Sequence, residues 1–350
     1  MSAATRELYQ VRDLPIFQNR MYPSRSEARN CPRGDVVLVE DLSSGLVYNQ
    51  AFRPEVMDYD SNYQNEQGVS QLFQQHLTGI ADLIEHTMGR NRLVEVGCGK
   101  GLFLELLATK GFDVSGFDPT YEGTNPRVAK EYFSEKLGIR GDGLILRHVL
   151  EHIRNPVDFL HQLRDANGGG GLIYIEVPCF DWICEHNAWF DIFYEHVNYF
   201  RLSDFQRIFG RIIEAGRTFG GQYLSVVADL STVRRPKYDA QDPVSFPHDF
   251  LNGLRPRSLD RAAVWGGASK GVLFSLMMER AGADVELVID INPAKQGRYL
   301  PASGLQVHSP DEGLARLSDG ATIYVMNSNY LPEIREMSGN RFNYVGIDNE

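Results

Sequence analysis

A glycine-rich segment limits what this chain can fold into more than any other feature of its sequence. Residues 95–101 read EVGCGKG, with a glycine at every second position from Gly97. The apolar residues of Arg92–Gly97 predict a strand, and the pattern that follows predicts a helix ending at Gly111. Glycines at a helix N-terminus allow a ligand to approach the backbone amides closely. The segment therefore predicts a strand–turn–helix unit with a ligand at the turn.

The spacing of this segment favours one cofactor class over another. Dinucleotide sites have the spacing G-x-G-x-x-G, whereas this chain has E-x-G-x-G-x-G. Glu95 would repel a pyrophosphate but attract the α-ammonium of S-adenosylmethionine (SAM), whose carboxylate suits the helix N-terminus. Asp118 ends the next predicted strand, where an acid can accept hydrogen bonds from ribose hydroxyls. These residues together predict a SAM site.

Alternating strand and helix patterns predict an α/β fold with a doubly wound, Rossmann-like sheet. A helical pattern starts at Gln71, and the further predicted strands are Asp113–Asp118, Gly143–Val149, Gly168–Pro178 and Tyr223–Leu230, the last closing the sheet. A second strand–glycine–helix unit starts at Ala262. We therefore divide the chain into a small N-terminal module (1–70), a SAM-binding domain (71–230), a linker (231–256) and a C-terminal Rossmann-like domain (257–350). Apart from a hairpin over residues 35–49, the N-terminal module is predicted to be irregular.

Charge and composition exclude several function classes. The chain has 35 basic and 46 acidic residues, a net charge of −11, which gives no support for broad nucleic-acid binding. No apolar run approaches the length of a membrane span, and the N-terminus does not have the pattern of a signal peptide. The four cysteines form no CxxC pair, so a cytoplasmic location is expected. Nothing in the sequence indicates an oligomeric state.

The glycine segment, Asp118 and the sequence RHVLEH at 147–152 resemble class I SAM-dependent methyltransferases. A second set of motifs narrows the resemblance: Tyr-Glu-His-x-x-Tyr-Phe at 194–200, VWGGASKG at 264–271 and DINPAKQGRYLP at 290–301 are similar to the C-methyltransferases of deoxysugar biosynthesis. That family methylates carbon beside a ketone on a nucleotide-linked sugar. The resemblance implies that His196 is the general base, assisted by Tyr194 and Glu195. The cofactor contacts it implies are Glu95, Gly97, Cys98, Gly99, Gly101, Asp118, Arg147 and His148.

The acceptor side of the site is less constrained by the sequence. The expected substrate contacts are Tyr59, Tyr63, His152, Lys270 and Arg298. The related family binds zinc through four N-terminal cysteines, whereas Cys31 stands alone here, so no such zinc and no other metal is expected. This divergent module leaves O-methylation of a sugar or related metabolite as an alternative. A non-catalytic SAM-binding scaffold is an alternative of another class.

The residues His148, Glu151 and His152 also spell H-x-x-E-H, the pattern of a zinc metallopeptidase helix. Two histidines four residues apart on a helix can share a zinc ion, with the glutamate as base. However, the motif follows directly on a predicted strand, and Asn155-Pro156 interrupts the helical pattern soon afterwards. The zinc hypothesis also leaves the glycine segment unexplained, so the SAM hypothesis is preferred.

Overall fold

A computed structural model describes residues 4–57, 68, 70–251, 262–283 and 285–348. The strands are β1 Thr5–Pro15, β2 Arg33–Asp41, β3 Val47–Asn49, β4 Leu93–Val96, β5 Val114–Phe117, β6 Val128–Ala129, β7 Gly143–Arg147, β8 Leu172–Pro178, β9 Asn198–Tyr199, β10 Ile212–Thr218, β11 Tyr223–Asp229, β12 Ala262–Trp265, β13 Val285–Ile289, β14 Val307–His308, β15 Thr322–Val325 and β16 Asn343–Gly346. The α-helices are α1 Arg25–Arg29, α2 Gln71–Met88, α3 Leu102–Thr109, α4 Pro156–Ala166, α5 Phe180–Glu185, α6 Leu202–Ile208, α7 Ser269–Arg280, α8 Pro310–Leu314 and α9 Leu331–Met337. Within these ranges, no helix combines the length and the apolarity that crossing a membrane would require.

The central sheet has the strand order β10-β11-β8-β7-β4-β5-β6. Strands β6, β5, β4, β7 and β8 are parallel, whereas β11 runs antiparallel to β8 and β10 runs antiparallel to β11. This arrangement confirms the predicted α/β fold. Strand β10 was not predicted, because it forms the edge of the sheet and most of its side chains are exposed, which leaves no apolar alternation to detect.

Helix α2 covers one side of this sheet, as its sequence predicts. Ser70 caps its N-terminus by accepting a hydrogen bond from the amide of Phe73, and Gly89, with φ of 77°, follows its last turn. The buried residues of α2 recur at the helical period and form one face: Phe73, Leu77, Ile80, Ala81 and Ile84. That face packs in one cluster with Leu104 of α3 and Ile145 of β7, which fixes the helix next to the glycine turn.

The N-terminal module contains an ordered sheet, so the prediction of mostly irregular structure was wrong. Strand β1 pairs with β2 over its whole length, and the sheet continues in the order β1-β2-β3-β9. Two register shifts in β1 and its charged residues break the alternation that would reveal a strand. Strand β9 follows directly on the Tyr-Glu-His segment, so this sheet holds that segment in place.

The C-terminal unit is a second parallel sheet, in the order β14-β13-β12-β15-β16, as predicted. The segment predicted as a linker is not a free connector where the structure describes it. Asp242 accepts hydrogen bonds from Arg201 and Arg207, and Val244 donates its N–H to Glu40 of β2. The segment therefore packs between the N-terminal sheet and the central domain.

Candidate active site

A cavity of about 400 Å³ lies where three parts of the chain meet. Its walls include the glycine turn after β4, the segment around His196 and the glycine turn after β12. The first and last of these follow the carboxyl ends of parallel strands, where α/β sheets place their ligand sites. The structure thus brings the two main motif groups of the sequence to one cavity.

The first glycine turn has the backbone conformation that only glycine adopts freely. Gly97, Gly99 and Gly101 have φ values of 72°, 54° and 81°. A Cβ atom on Gly97 would lie 2.5 Å from Cγ2 of Val149, so a side chain there would also clash. The carboxylate of Asp118 accepts a hydrogen bond of 2.8 Å from the Gly99 amide and so stabilises the turn.

Glu95 lies in this turn with the properties of an ammonium ligand. Its side chain lines the cavity, is 3% exposed, and has no hydrogen-bond partner at Oε2 among the described residues. Burial raises the pKa of Glu95 to about 7, against the opposing effect of Arg147. A buried carboxylate oxygen without a partner, beside an open glycine turn, fits the cationic α-ammonium of SAM.

The other predicted cofactor contacts differ in position. Cys98, Gly99, Arg147 and His148 line the cavity, whereas Gly101 and Asp118 are not among its lining residues. Both Asp118 oxygens already accept hydrogen bonds, one from Gly99 and the other from the amide and hydroxyl of Thr120. The predicted ribose contact of Asp118 therefore stays a prediction, and in this structure Asp118 supports the turn.

A charged network lies beneath the cavity and is centred on the buried carboxylate of Glu176. It accepts hydrogen bonds from Arg147 and Tyr174, and it pairs with His76 and with Nε2 of His148, at 3.0 Å. Burial alone would lower the pKa of His148, but Glu151 and Glu176 outweigh it and raise the pKa to about 9. His148 is therefore a cation at neutral pH, and its φ of 51° turns it away from the strand direction of β7.

The zinc metallopeptidase helix proposed by H-x-x-E-H does not form. Leu150–His152 is a single 3-10 turn, and the His148 imidazole contacts Glu176. Among the described residues, the group able to hold a metal ion is Glu151, His152 and His196. This group contains Glu151 and His152 of the H-x-x-E-H pattern, but its second histidine is His196 from a distant segment and not His148.

Of the Tyr-Glu-His segment, Glu195 and His196 line the cavity, and His196 is the member with basic ring nitrogens. Its Nδ1 is buried and has no hydrogen-bond partner among the described residues. Burial, followed by the nearby His152, His148 and Lys270, holds the pKa of His196 well below its usual range. His196 is therefore neutral at physiological pH and has a lone pair available to accept a proton.

Tyr194 and Glu195 instead hold this segment against the N-terminal module. The Tyr194 hydroxyl accepts a hydrogen bond of 3.0 Å from the amide of Arg53, and the residue does not line the cavity. Glu195 lines the cavity, but its Oε1 accepts a hydrogen bond of 2.7 Å from the amide of Gln18. The predicted assistance of Tyr194 in the reaction does not fit this geometry, because its fully buried ring faces Gly34 and Phe52.

The predicted substrate contacts lie in different places. His152 and Lys270 line the cavity, but Nζ of Lys270 lies 3.0 Å from Asp191 and donates to Gln222, so its charge is already balanced. Arg298 is exposed and does not line the cavity, because the loop after β13 carries it to the surface. Tyr59 and Tyr63 lie outside the described residues.

The sequence analysis missed the acid of the second glycine turn. Asp290 follows β13 and accepts a hydrogen bond of 2.7 Å from the amide of Gly267, as Asp118 does from Gly99 in the first unit. The sequence did contain a signal for Asp290: in each unit an acid, Asp118 or Asp290, directly follows the second strand. The turn after β12 is therefore a second cavity wall of similar construction.

Comparison with known proteins agrees with this geometry. Residues 57–212 match a family profile described as "Methyltransferase domain". The C-methyltransferase NovU of Streptomyces niveus is 23% identical over 308 residues, which cover 74% of this chain and 72% of NovU. The chain is a class I SAM-dependent methyltransferase.

The methyltransferase is also similar to enzymes of other acceptor classes. A ubiquinone biosynthesis O-methyltransferase of Methylobacterium is 33% identical over 98 residues, or 23% of this chain and 39% of that enzyme. Among solved structures, a SAM-dependent methyltransferase from Archaeoglobus fulgidus has a TM-score of 0.35 at 18% identity, covering 45% of this chain and 93% of that one. The plantazolicin methyltransferase BpumL in complex with SAH has a TM-score of 0.36 at 15% identity, covering 48% and 87%.

Proposed function

We propose that this methyltransferase methylates a carbon beside the ketone of a nucleotide-linked sugar, with His196 as the general base. The observation that carries the proposal is the neutral His196, which lines the cavity that contains the glycine turn and whose buried Nδ1 has no partner in the described part of the chain. NovU, which aligns with 74% of this chain, is named a C-methyltransferase. SAM supplies an electrophilic methyl group when it is bound at this turn.

The chain's own residues divide the proton chemistry between them. His196 takes the proton from the carbon beside the ketone, and the electrons of that C–H bond form an enolate. The carbon of the enolate then bonds to the methyl group, and the S–CH₃ bond breaks with its electrons on sulfur. His148, a cation that lines the cavity, stabilises the enolate oxygen. In this proposal, His148 gives the assistance that the resemblance implied for Tyr194.

The carboxylate of Glu151 compensates for the weakness of His196 as a base. A depressed pKa keeps the imidazole neutral, but it also disfavours the imidazolium that forms when a proton is taken. Ligand atoms of Glu151 and His196 lie within 4.8 Å of each other, and within the described ranges neither Glu151 oxygen has a hydrogen-bond partner. A carboxylate at that distance stabilises the imidazolium as it forms.

The C-terminal unit extends the cavity toward the nucleotide part of the acceptor. The turn Gly266–Gly271 lines the cavity and leads into α7, whose N-terminal amides suit a diphosphate. Lys295, which is buried beside Asp290, lines the same wall. We therefore assign the SAM end of the cavity to the central domain and the nucleotide end to the C-terminal unit.

Solvent exchange tests the base directly. In D₂O with S-adenosylhomocysteine and a panel of keto-sugar nucleotides, the wild type should exchange the proton beside the ketone without any methyl transfer. His196→Asn should bind SAM normally but lose exchange and turnover by about 10²–10⁴-fold, the usual contribution of a general base. The control His186→Asn changes a histidine that does not line the cavity. Full turnover by His196→Asn would refute the role of His196.

O-methylation is the second candidate, favoured by the local similarity to ubiquinone biosynthesis O-methyltransferases. In that case His196 would remove a hydroxyl proton, and no carbon-bound deuterium would appear. The position of the methyl group in the product, measured by NMR, distinguishes the two reactions.

A further inference from the structure

Three side chains with metal-ligating atoms meet in the wall of the cavity, although the sequence predicted no metal there. Glu151, His152 and His196 each offer one ligand atom, and these atoms lie within 4.8 Å of one another. Glu151 and His152 belong to the turn after β7, whereas His196 precedes β9. The pairing of β9 with the N-terminal sheet therefore completes the group.

Glu151 has the unsatisfied oxygens that a cation would satisfy. Its side chain is 1% exposed, and neither carboxylate oxygen has a hydrogen-bond partner among the described residues. The imidazole of His148 approaches one oxygen, Nδ1 lying 3.4 Å away, without forming a hydrogen bond. A buried carboxylate without hydrogen bonds is costly, so it is a strong ligand for any cation that reaches it.

The two imidazoles present lone pairs to the same place. Nδ1 of His152 lies 3.0 Å from the carbonyl oxygen of Glu195 and must carry the proton, because a carbonyl only accepts. Its Nε2 therefore has the lone pair, and a backbone bond of this kind orients most metal-ligating histidines. The Nδ1 of His196 is buried, and no residue that the structure describes is its hydrogen-bond partner.

We propose that Glu151, His152 and His196 form a binding site for a divalent transition metal, with Zn²⁺ as the reference ion. Two imidazoles and one carboxylate select borderline ions such as Zn²⁺ and Co²⁺ over Mg²⁺, which prefers oxygen. All three residues line the cavity, so the remaining coordination position would face the acceptor.

The site has a consequence for turnover that rests on the proposed function. An imidazole that binds a metal through one nitrogen carries a proton on the other and has no lone pair left for a substrate proton. Metal binding and proton abstraction therefore compete for His196. The metal-loaded enzyme should bind SAM but not exchange the proton beside the ketone.

The test begins with chelated, desalted full-length protein titrated with Co²⁺ and Zn²⁺. Wild-type protein should bind one Co²⁺ with visible absorption bands typical of nitrogen ligation, and Zn²⁺ should displace it. Glu151→Gln and His152→Gln should each weaken Zn²⁺ binding at least tenfold. The control His161→Gln changes a histidine on α4, outside the group, and should bind like the wild type.

Cooperative thermal unfolding shows that the variants are folded. Glu151→Gln should lower Tm somewhat in the absence of metal, because it removes a carboxylate that faces the His148 cation, whereas His152→Gln keeps that pair. Absence of stoichiometric binding by the wild type, or equal binding by Glu151→Gln, overturns the site. Stoichiometric binding that raises turnover supports the site but refutes His196 as the base. Stoichiometric binding that abolishes proton exchange supports both the metal site and the role of His196 as the base.

Discussion

At the scale of single residues, we predict that Glu95 binds the α-ammonium of SAM and thereby makes cofactor binding depend on pH. Its pKa is raised to about 7 by burial, whereas the ammonium of SAM requires the ionised carboxylate. Below pH 7 binding must displace a proton from Glu95, so affinity falls as the pH falls. We expect SAM to bind about fivefold more weakly at pH 6 than at pH 7, measured by calorimetry.

Glu95→Gln separates this effect from other titrations. The variant should bind SAM more weakly at both pH values and lose the pH dependence between them. The control is Glu85→Gln. Glu85 lies on α2 and forms an exposed ion pair with Arg90, so this variant should keep the pH profile of the wild type. An unchanged pH profile in Glu95→Gln would show that another group titrates.

At the scale of secondary-structure elements, we predict that the contact between β2 and the Tyr-Glu-His segment positions His196, the proposed base. A Cβ atom on Gly34 would lie 2.3 Å from Cε2 of Tyr194, a ring that is fully buried and cannot move aside. Gly34→Ala should lower the free energy of unfolding by about 1–3 kcal/mol, as overpacking does, and reduce turnover by displacing His196. Chemical denaturation and kinetics measure the two effects.

The matched control for this contact is Gly216→Ala on β10, where a Cβ atom would meet nothing within 4 Å. It should leave both stability and turnover near wild type. If Gly34→Ala were as stable and active as Gly216→Ala, the contact would not position the base.

The same elements show what the sequence could and could not predict. Strand β4, its glycine turn and α3 were predicted because their signal is local: an apolar run, glycines and a helical period. The hydrogen bond of Tyr194 could not be predicted, because its partner, the amide of Arg53, lies 141 residues away in the chain. Likewise, the grouping of Glu151 with His196 depends on how β9 pairs, which no local pattern encodes.

At the scale of the whole molecule, Gln222 is among the side chains that join the central domain to the C-terminal unit. Gln222, which directly precedes β11 and is 3% exposed, donates to Asn327 and Asp348 and accepts from Lys270. Gln222→Ala would leave Nδ2 of Asn327 without its hydrogen bond, at a cost of about 1–3 kcal/mol, and would remove one hydrogen bond each from Asp348 and Lys270. The C-terminal unit should therefore dock less stably, while the SAM turn, which lies across β4 and α3, stays intact.

We therefore predict that Gln222→Ala affects SAM binding and acceptor binding differently. In Gln222→Ala, SAM affinity should stay within about twofold, whereas turnover should fall tenfold or more because the acceptor wall formed by the turn after β12 is displaced. Hydrogen exchange should show reduced protection in α7 and unchanged protection in α3. Gln206→Ala, at an exposed position of α6, serves as the control and should match the wild type. Gln222 does not belong to the glycine turn after β4, so its loss should not act on SAM directly. If SAM affinity and turnover fell equally, the cavity would not be divided between the two units as proposed.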